Sequence, residues 1–206
     1  MRIVKGLGII LGILILYLCF WPVEIDPVAW ESMADEGLVG DFSPNTFLSA
    51  ADVFGSGDGI GPEDIDVDRE GRIYAPFEDG RILRYDSDGK NPELFVNTGG
   101  RPLGMEFDAE NNLLICDAFK GLLSVNPTGQ LTVLATETNG VPFGFTDDVD
   151  ITDDGMIYFS DASTQWNIKD YRSDIVEHRP YGRLISFDPS TGQSNVILED
   201  LYFANG

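Results

Sequence analysis

From Ile65 onward, apolar and polar residues alternate over short runs, and turn residues cut the runs at regular intervals. Alternation of this kind, bounded by Gly, Asn and Asp, marks half-buried strands joined by tight turns. The first unit reads Ile65, Val67, a turn at Asp68-Arg69-Glu70-Gly71, then Ile73 and Ala75. The second reads Met105, Phe107, a turn at Asp108-Ala109-Glu110-Asn111, then Leu113 and Ile115. The third reads Val149, Ile151, a turn at Thr152-Asp153-Asp154-Gly155, then Ile157 and Phe159. Gly or Asn closes each turn because the last turn position requires left-handed backbone. Each unit continues through a second hairpin, beginning at Gly80, Gly121 or Gly182, and closes on an apolar strand at Leu94-Phe95-Val96, Thr132-Val133-Leu134 or Val196-Ile197-Leu198.

Four short strands per unit, with 40 positions from Gly71 to Asn111 and 44 from Asn111 to Gly155, give the blade period of a β-propeller. The third unit is lengthened by an insertion between Ser163 and Gly182 that contains Trp166, Tyr171, His178 and Tyr181. The expected fold is all-β, with about three blades and the start of a fourth over residues 57–206. Three blades leave a ring open, so the chain reads as the N-terminal part of a longer propeller.

Two other patterns precede the repeats. Gly6 to Trp21 is an almost unbroken apolar run, with Arg2 and Lys5 before it and Glu24 and Asp26 after it. Residues 1–22 are therefore expected to form a transmembrane signal-anchor helix, N-terminus in the cytoplasm and the rest extracytoplasmic. No small-x-small cleavage pattern stands at Cys19-Phe20-Trp21-Pro22-Val23, which argues against a removed leader. Residues 23–56 have Pro27 and Pro44 and no sustained period, and read as a connector with material for one edge strand in Phe42, Phe47, Leu48, Val53 and Phe54.

Charge narrows the partners. The 206 residues hold 35 Asp and Glu against 13 Lys and Arg, a net charge of -22. Nucleic acid and anionic membrane surfaces need the opposite balance. Cys19 and Cys116 make no disulfide framework, and Cys116, within a strand, reads as a core thiol.

The candidate chemistry comes from repeat equivalence. Eight positions before the closing turn residue stand Glu63, Leu103 and Asp147, and Asn205 takes the same place at the start of the next unit. First strands line a propeller's axis, so these side chains converge, and hard oxygen donors in such a ring suit a divalent cation, above all calcium. Asp64 and Asp148 are the next equivalent pair and are expected to ligate or to orient the ligands. Asp117 and Asp161 end second strands at the same mouth. Asp117 is expected to cap its hairpin, and Asp161, with Trp166 of the insertion, to face substrate. No Ser-His-Asp set can be assembled around the single histidine, His178.

Several stretches together resemble the strictosidine synthase-like family, in particular its membrane-anchored, adipocyte plasma membrane-associated type, within the wider group of gluconolactonases and paraoxonases. They are Gly61-Pro62-Glu63-Asp64-Ile65, Gly100-Arg101-Pro102-Leu103-Gly104, Asp117-Ala118-Phe119-Lys120-Gly121-Leu122, Tyr158-Phe159-Ser160-Asp161-Ala162-Ser163, Gly182-Arg183-Leu184 and Phe203-Ala204-Asn205-Gly206. The resemblance implies a six-bladed propeller with a central calcium-type site. It also implies hydrolysis of lactones or aryl esters, small-molecule substrates that Asp148 would help attack by activating water. It matches the family's metal-binding Glu to Glu63 and its Asn to Asn205, and Asp147-Asp148 stands where the family usually has Asn-Asp. A strictosidine synthase-like condensing enzyme and a non-catalytic binding propeller are the alternative readings.

Overall fold

The computed structural model describes residues 2–206, with side chains from Lys5 onward. Helix α1 (Arg2–Phe20) covers the apolar run. From Leu7 onward its Leu, Ile, Tyr and Phe side chains are exposed. Among the described residues, no helix is long and apolar enough to cross a membrane. The expected transmembrane helix is thus not found: at ~1.5 Å per residue, 19 residues stop just short of a ~30 Å hydrocarbon core. The Arg2 side chain, part of the orientation argument, lies outside the described residues.

The connector forms no strand. Its one regular element is a single 3-10 turn at Gly40–Phe42, and Phe42, Phe47, Leu48 and Val53 are exposed. Phe54 alone packs on the sheets, edge-on to Tyr85 at 5.5 Å between ring centres. Upstream, the connector is tied to the insertion. Asp26 N donates to Glu177 Oε1 at 2.7 Å and Val28 N to the Glu177 carbonyl at 2.9 Å.

The rest of the chain folds as three four-stranded antiparallel sheets, each a meander in chain order. The first holds β1 (Asp66–Val67), β2 (Ile73–Pro76), β3 (Arg81–Tyr85) and β4 (Glu93–Asn97). The second holds β5 (Pro102–Phe107), β6 (Leu113–Asp117), β7 (Gly121–Val125) and β8 (Leu131–Ala135). A short ribbon, β9 (Glu137–Thr138) with β10 (Val141–Pro142), leads into the third sheet. That sheet holds β11 (Thr146–Ile151), β12 (Ile157–Asp161), β13 (Gly182–Asp188) and β14 (Gln193–Leu201), with α2 (Tyr171–Glu177) inside the insertion.

The three first turns are left-handed where the pattern requires it, at Gly71 (φ 79), Asn111 (φ 65) and Gly155 (φ 85). They set the registers Val67↔Ile73, Phe107↔Leu113 and Ile151↔Ile157, so the same face of each sheet turns inward. Asp68 holds the first turn most firmly. Its carboxylate accepts from the Glu70 and Arg72 amides, from Arg72 Nε at 2.7 Å and from the Tyr74 hydroxyl at 2.9 Å.

Packing explains the strands. The middle sheet is covered on both faces, and all five residues of β6 are buried. Leu113 and Ile115 pack toward the first sheet with Tyr74, Ile82 and Val96. Leu114 and Cys116 pack the other way, against Val149, Ile157, Phe159 and Ile185. A strand buried on both faces reads as a continuous apolar run, which is what Leu113-Leu114-Ile115-Cys116 is. Cys116 is the core thiol expected, and burial pushes its pKa well up.

Two inner strands are bulged at equivalent places. Pairing breaks between Pro102 and Met105 in β5 and between Thr146 and Val149 in β11. Bulges at a strand's start re-aim its side chains, and here they fall on Leu103-Gly104 and Asp147-Asp148.

Asp68→Ala should destabilise the protein by about 2–4 kcal/mol, because it strands the Tyr74 hydroxyl and one side of Arg72 in a buried setting. Asp153→Ala, on the exposed turn of the third sheet, should cost less than about 0.5 kcal/mol. Urea midpoints of the two variants check the contrast. Equal midpoints would show that Asp68 does not hold its turn.

Candidate functional site

Glu63, Asp64, Asp147, Asp148 and Asn205 line one cavity of about 220 Å³, together with Gly104 and Gly206. The repeat argument therefore brings together every residue expected to hold a cation. Leu103 fills the remaining equivalent position and is fully buried with Ala118, Phe145 and Ala162, against Ile168, Tyr171 and Phe203. It forms a dry floor beside the polar residues. Phe203 stacks edge-on to Phe145 at 5.7 Å, which fixes the backbone two residues before Asn205.

Asp147 is the most constrained group. It is 3% exposed, and its Oδ2 has no hydrogen-bond partner. Burial first, then the Glu63 and Asp148 carboxylates, push its pKa up to about 7, with Arg101 pulling the other way. A buried carboxylate with a free oxygen beside other carboxylates is an arrangement that a cation would relieve. The donors are hard oxygens from the lead-in to the first sheet, from the third sheet and from the segment after it, which suits a calcium-type ion. Among the described residues, no three Asp, Glu, His or Cys side chains stand close enough to form a ready cage. Two carboxylates and the Asn205 amide oxygen are the set that fits.

Arg101 is a site residue that the repeat pattern did not reveal. Its Nη2 lies 3.3 Å from Glu63 Oε2, and its Nη1 donates to the Gly61 carbonyl at 2.9 Å. Its own amide donates to Asp117 Oδ1 at 3.0 Å. The signal was a lone cation two positions before Leu103 in an otherwise acidic ring. Gly104 was missed as well: a Cβ there would lie 2.3 Å from Asp148 Oδ1 and 2.6 Å from Asp148 Cα. Only glycine lets the third sheet approach the second so closely.

Sequence comparison points the same way. The strictosidine synthase family model matches residues 147–206, and the model for the N-terminal part of strictosidine synthase-like proteins matches residues 40–85. Two Arabidopsis thaliana proteins named strictosidine synthase-like 6 and 7 are 43% and 38% identical over 78% and 97% of this chain. The chain belongs to the strictosidine synthase-like family. An adipocyte plasma membrane-associated protein from Salmo salar is 32% identical over 82% of the chain. The chain spans about half the length of the curated relatives it matches, 45%, 56% and 44% of these three.

The fold is shared more widely than the sequence. A gluconolactonase structure from Xanthomonas campestris aligns with a TM-score of 0.51 at 17% identity, covering 63% of this chain and 44% of that one. A structural-genomics target named as a candidate gluconolactonase aligns at 0.56 and 18% identity, covering 70% and 50%. At that identity the match speaks for the propeller-type fold of this strictosidine synthase-like chain and for nothing more.

Four expectations change on inspection of the side chains. Asp161 does not face substrate: it is fully buried, paired with Arg183 Nε at 2.9 Å, and its Oδ1 accepts from the Gly144 and Phe145 amides. Trp166 is no lining residue either, since its Nε1 donates to Glu177 Oε2 at 2.9 Å within the insertion. Asp64 lines the cavity, but both oxygens are taken, Oδ1 by the Ile65 amide and Oδ2 by the Met105 amide, each at 2.7 Å. Asp148, expected to activate water, accepts from the Val149 amide on its Oδ1 at 2.9 Å, as Asp64 accepts from that of Ile65. Asp117 keeps its expected capping part, accepting from the Arg101, Phe119 and Lys120 amides. His178 lies between Trp30 and Tyr202, at 5.1 and 4.8 Å between ring centres, away from the cavity.

Asp147 sets a pH dependence in chelator-treated protein. Its folded pKa of about 7 lies above the ordinary 3.8, so the fold binds a proton that the unfolded chain has already released. That stabilisation is complete below about pH 4 and is lost as pH rises through about 7. The expected loss across this window is on the order of 2–4 kcal/mol, and Asp147→Asn should flatten it. Denaturation midpoints between pH 4 and 8 decide; equal slopes in both proteins would place the titration elsewhere.

Proposed function

We propose that this chain supplies the cation-holding half of a hydrolase acting on lactones or aryl esters, within a six-bladed ring of the whole protein. The observation that carries the reading is the meeting of Glu63, Asp147 and Asn205 at one cavity, with an unpartnered buried oxygen on Asp147. Those three residues would hold a hard divalent cation, calcium in the first place. When bound, such an ion supplies Lewis-acid polarisation of a carbonyl oxygen and compensation for the clustered carboxylates.

The residues themselves do the remaining work. Arg101, half of whose guanidinium is anchored on the Gly61 carbonyl, holds Glu63 toward the cavity. Leu103 and Phe145 exclude water from beneath. With its pKa pushed up to about 7, Asp147 is partly protonated at neutral pH until positive charge arrives, so cation uptake should release a proton. The small volume admits the reacting end of a small molecule, in line with an ester or lactone group rather than a polymer.

Localisation belongs to the same proposal. The sheets would lie on the extracytoplasmic side, held at the membrane by the exposed apolar side chains of α1. Alkaline extraction of membranes and protease protection of sealed vesicles test it. Release at high pH, or digestion of the sheets from the cytoplasmic face, would refute it.

For the cation, the test is calcium titration calorimetry on full-length protein, with hydrolysis of phenyl acetate and a γ-lactone followed in parallel. Glu63→Gln should weaken calcium binding at least tenfold, about 1.4 kcal/mol, and lower hydrolysis with it. Asp147→Asn keeps an oxygen donor and should weaken binding less. Unchanged affinity in Glu63→Gln would remove Glu63 from the site. Lost binding with hydrolysis intact would make the ion structural and the hydrolase reading wrong.

A further inference from the structure

The seam between the first and second sheets has no backbone ladder, yet two inward amides of β5 are satisfied. Met105 N donates to Asp64 Oδ2 at 2.7 Å, and Phe107 N to Asp66 Oδ2 at 2.8 Å. The other oxygen of each carboxylate accepts from its own strand, at the Ile65 and Val67 amides. Asp64 and Asp66 are thus double acceptors, one oxygen for their own strand and one for the next.

The third sheet repeats the acceptor side of this device. Asp148 and Asp150 occupy the repeat positions of Asp64 and Asp66, and their Oδ1 atoms accept from the Val149 and Ile151 amides at 2.9 and 2.7 Å. Among the described residues their Oδ2 atoms take no hydrogen bond, where those of Asp64 and Asp66 each take one. Both residues line a groove of about 310 Å³ on the far flank of the sheet, with Tyr158, Leu184, Leu198 and Gly206. A Cβ on Gly206 would lie 3.6 Å from Asp148 Oδ2.

We infer that Asp148 and Asp150 are docking acceptors for the inner strand that directly follows Gly206 in a chain of the relatives' length. Asp148 takes the amide of the first residue after Gly206, and Asp150 that of the third. Gly206 occupies the repeat position of Gly104 and already stands beside Asp148, since a Cβ on it would be in ordinary contact with Asp148 Oδ2, so the residue that follows arrives within reach of that oxygen. A second copy of this chain is the wrong occupant. Its Ile65 and Val67 amides are already served by Asp64 and Asp66, so docking would set four carboxylates against each other. The assignment is independent of the proposed hydrolysis and removes Asp148 from its chemistry.

Amide hydrogen exchange on the full-length protein, resolved residue by residue by NMR, tests the inference. In wild type, the first and third amides after Gly206 should be protected to the same order as Met105 and Phe107. Asp148→Ala should speed exchange of the first at least tenfold, and Asp150→Ala that of the third, with Met105 and Phe107 unmoved. Asp64→Ala is the mirror control and should expose Met105 alone. Asp148→Asn, which keeps an accepting oxygen, should retain part of the protection. Unprotected amides at both places in wild type, or protection unchanged in both alanine variants, would overturn the inference. So would a uniform rise in exchange across all sheets, which would mark Asp148 as a general stability residue.

Discussion

Backbone amides on the inner edge of each sheet must find acceptors without a neighbouring strand in ladder register. Everything near the axis depends on how that demand is met. Between the first and second sheets it is met by side chains, Asp64 and Asp66 reaching across to Met105 and Phe107. A carboxylate spans a gap that a carbonyl cannot, and a charge-assisted bond is about twice as strong as a neutral one. Four aspartates and Glu106 are thereby drawn toward the axis. Burial, then Asp66, Asp150, Asp64 and Asp148, hold the Glu106 carboxyl above its ordinary range. Part of the chain's acidity is therefore built into the seams and is not a solvated surface.

The same constraint ties the seam to the candidate site. Positions 63, 103, 147 and 205 turn toward the cavity or its floor, while the residues after them, Asp64, Gly104, Asp148 and Gly206, turn toward the neighbouring sheet. The bulges at Leu103-Gly104 and Asp147-Asp148 allow adjacent residues to be used in this way. Aspartate and glycine alternate at the second position because two facing side chains would not fit: the space a Cβ on Gly104 needs is held by Asp148. Carboxylates at the first position are crowded as a result, and Asp147 carries the cost in its raised pKa.

Much of the fold was legible because its rules are local. The left-handed turn residues Gly71, Asn111 and Gly155 announced themselves by type and spacing, and they fixed both the registers and the equivalence that found Glu63, Asp147 and Asn205. What was not legible depends on neighbours distant in sequence. Asp64 and Asp148 read as ligands because they hold equivalent repeat positions next to Glu63 and Asp147, whereas the Met105 amide that claims Asp64 lies 41 residues away. Asp161 looked like a mouth residue by position, but its part is decided by Arg183 on the adjacent strand. Trp166 was expected by type to face substrate, and Glu177 of α2 fixes its indole inside the insertion.

The insertion also connects parts of the molecule that sequence spacing keeps far apart. Glu177 accepts from Trp166 on one side and from the Asp26 amide on the other, and Arg179 pairs with Asp26 at 2.5 Å. Bonds from the Asp26 amide and the Trp166 indole hold the Glu177 carboxyl below its ordinary value, so this junction keeps its charge well into mild acid. From α2, Tyr171 lies by Phe203, 6.3 Å between ring centres, and both pack on the Leu103 cluster, Phe203 standing two residues before Asn205. The connector is therefore joined through α2 to the one oxygen-bearing side chain of the cavity that is not a carboxylate. Asn205 depends on this buttress more than Glu63 or Asp147 do, because Arg101 braces Glu63 directly and Asp147 stands between Thr146 and Val149, both of which pair with β12. The cavity is rigid on its two acidic sides and held on the third by packing that begins at the connector.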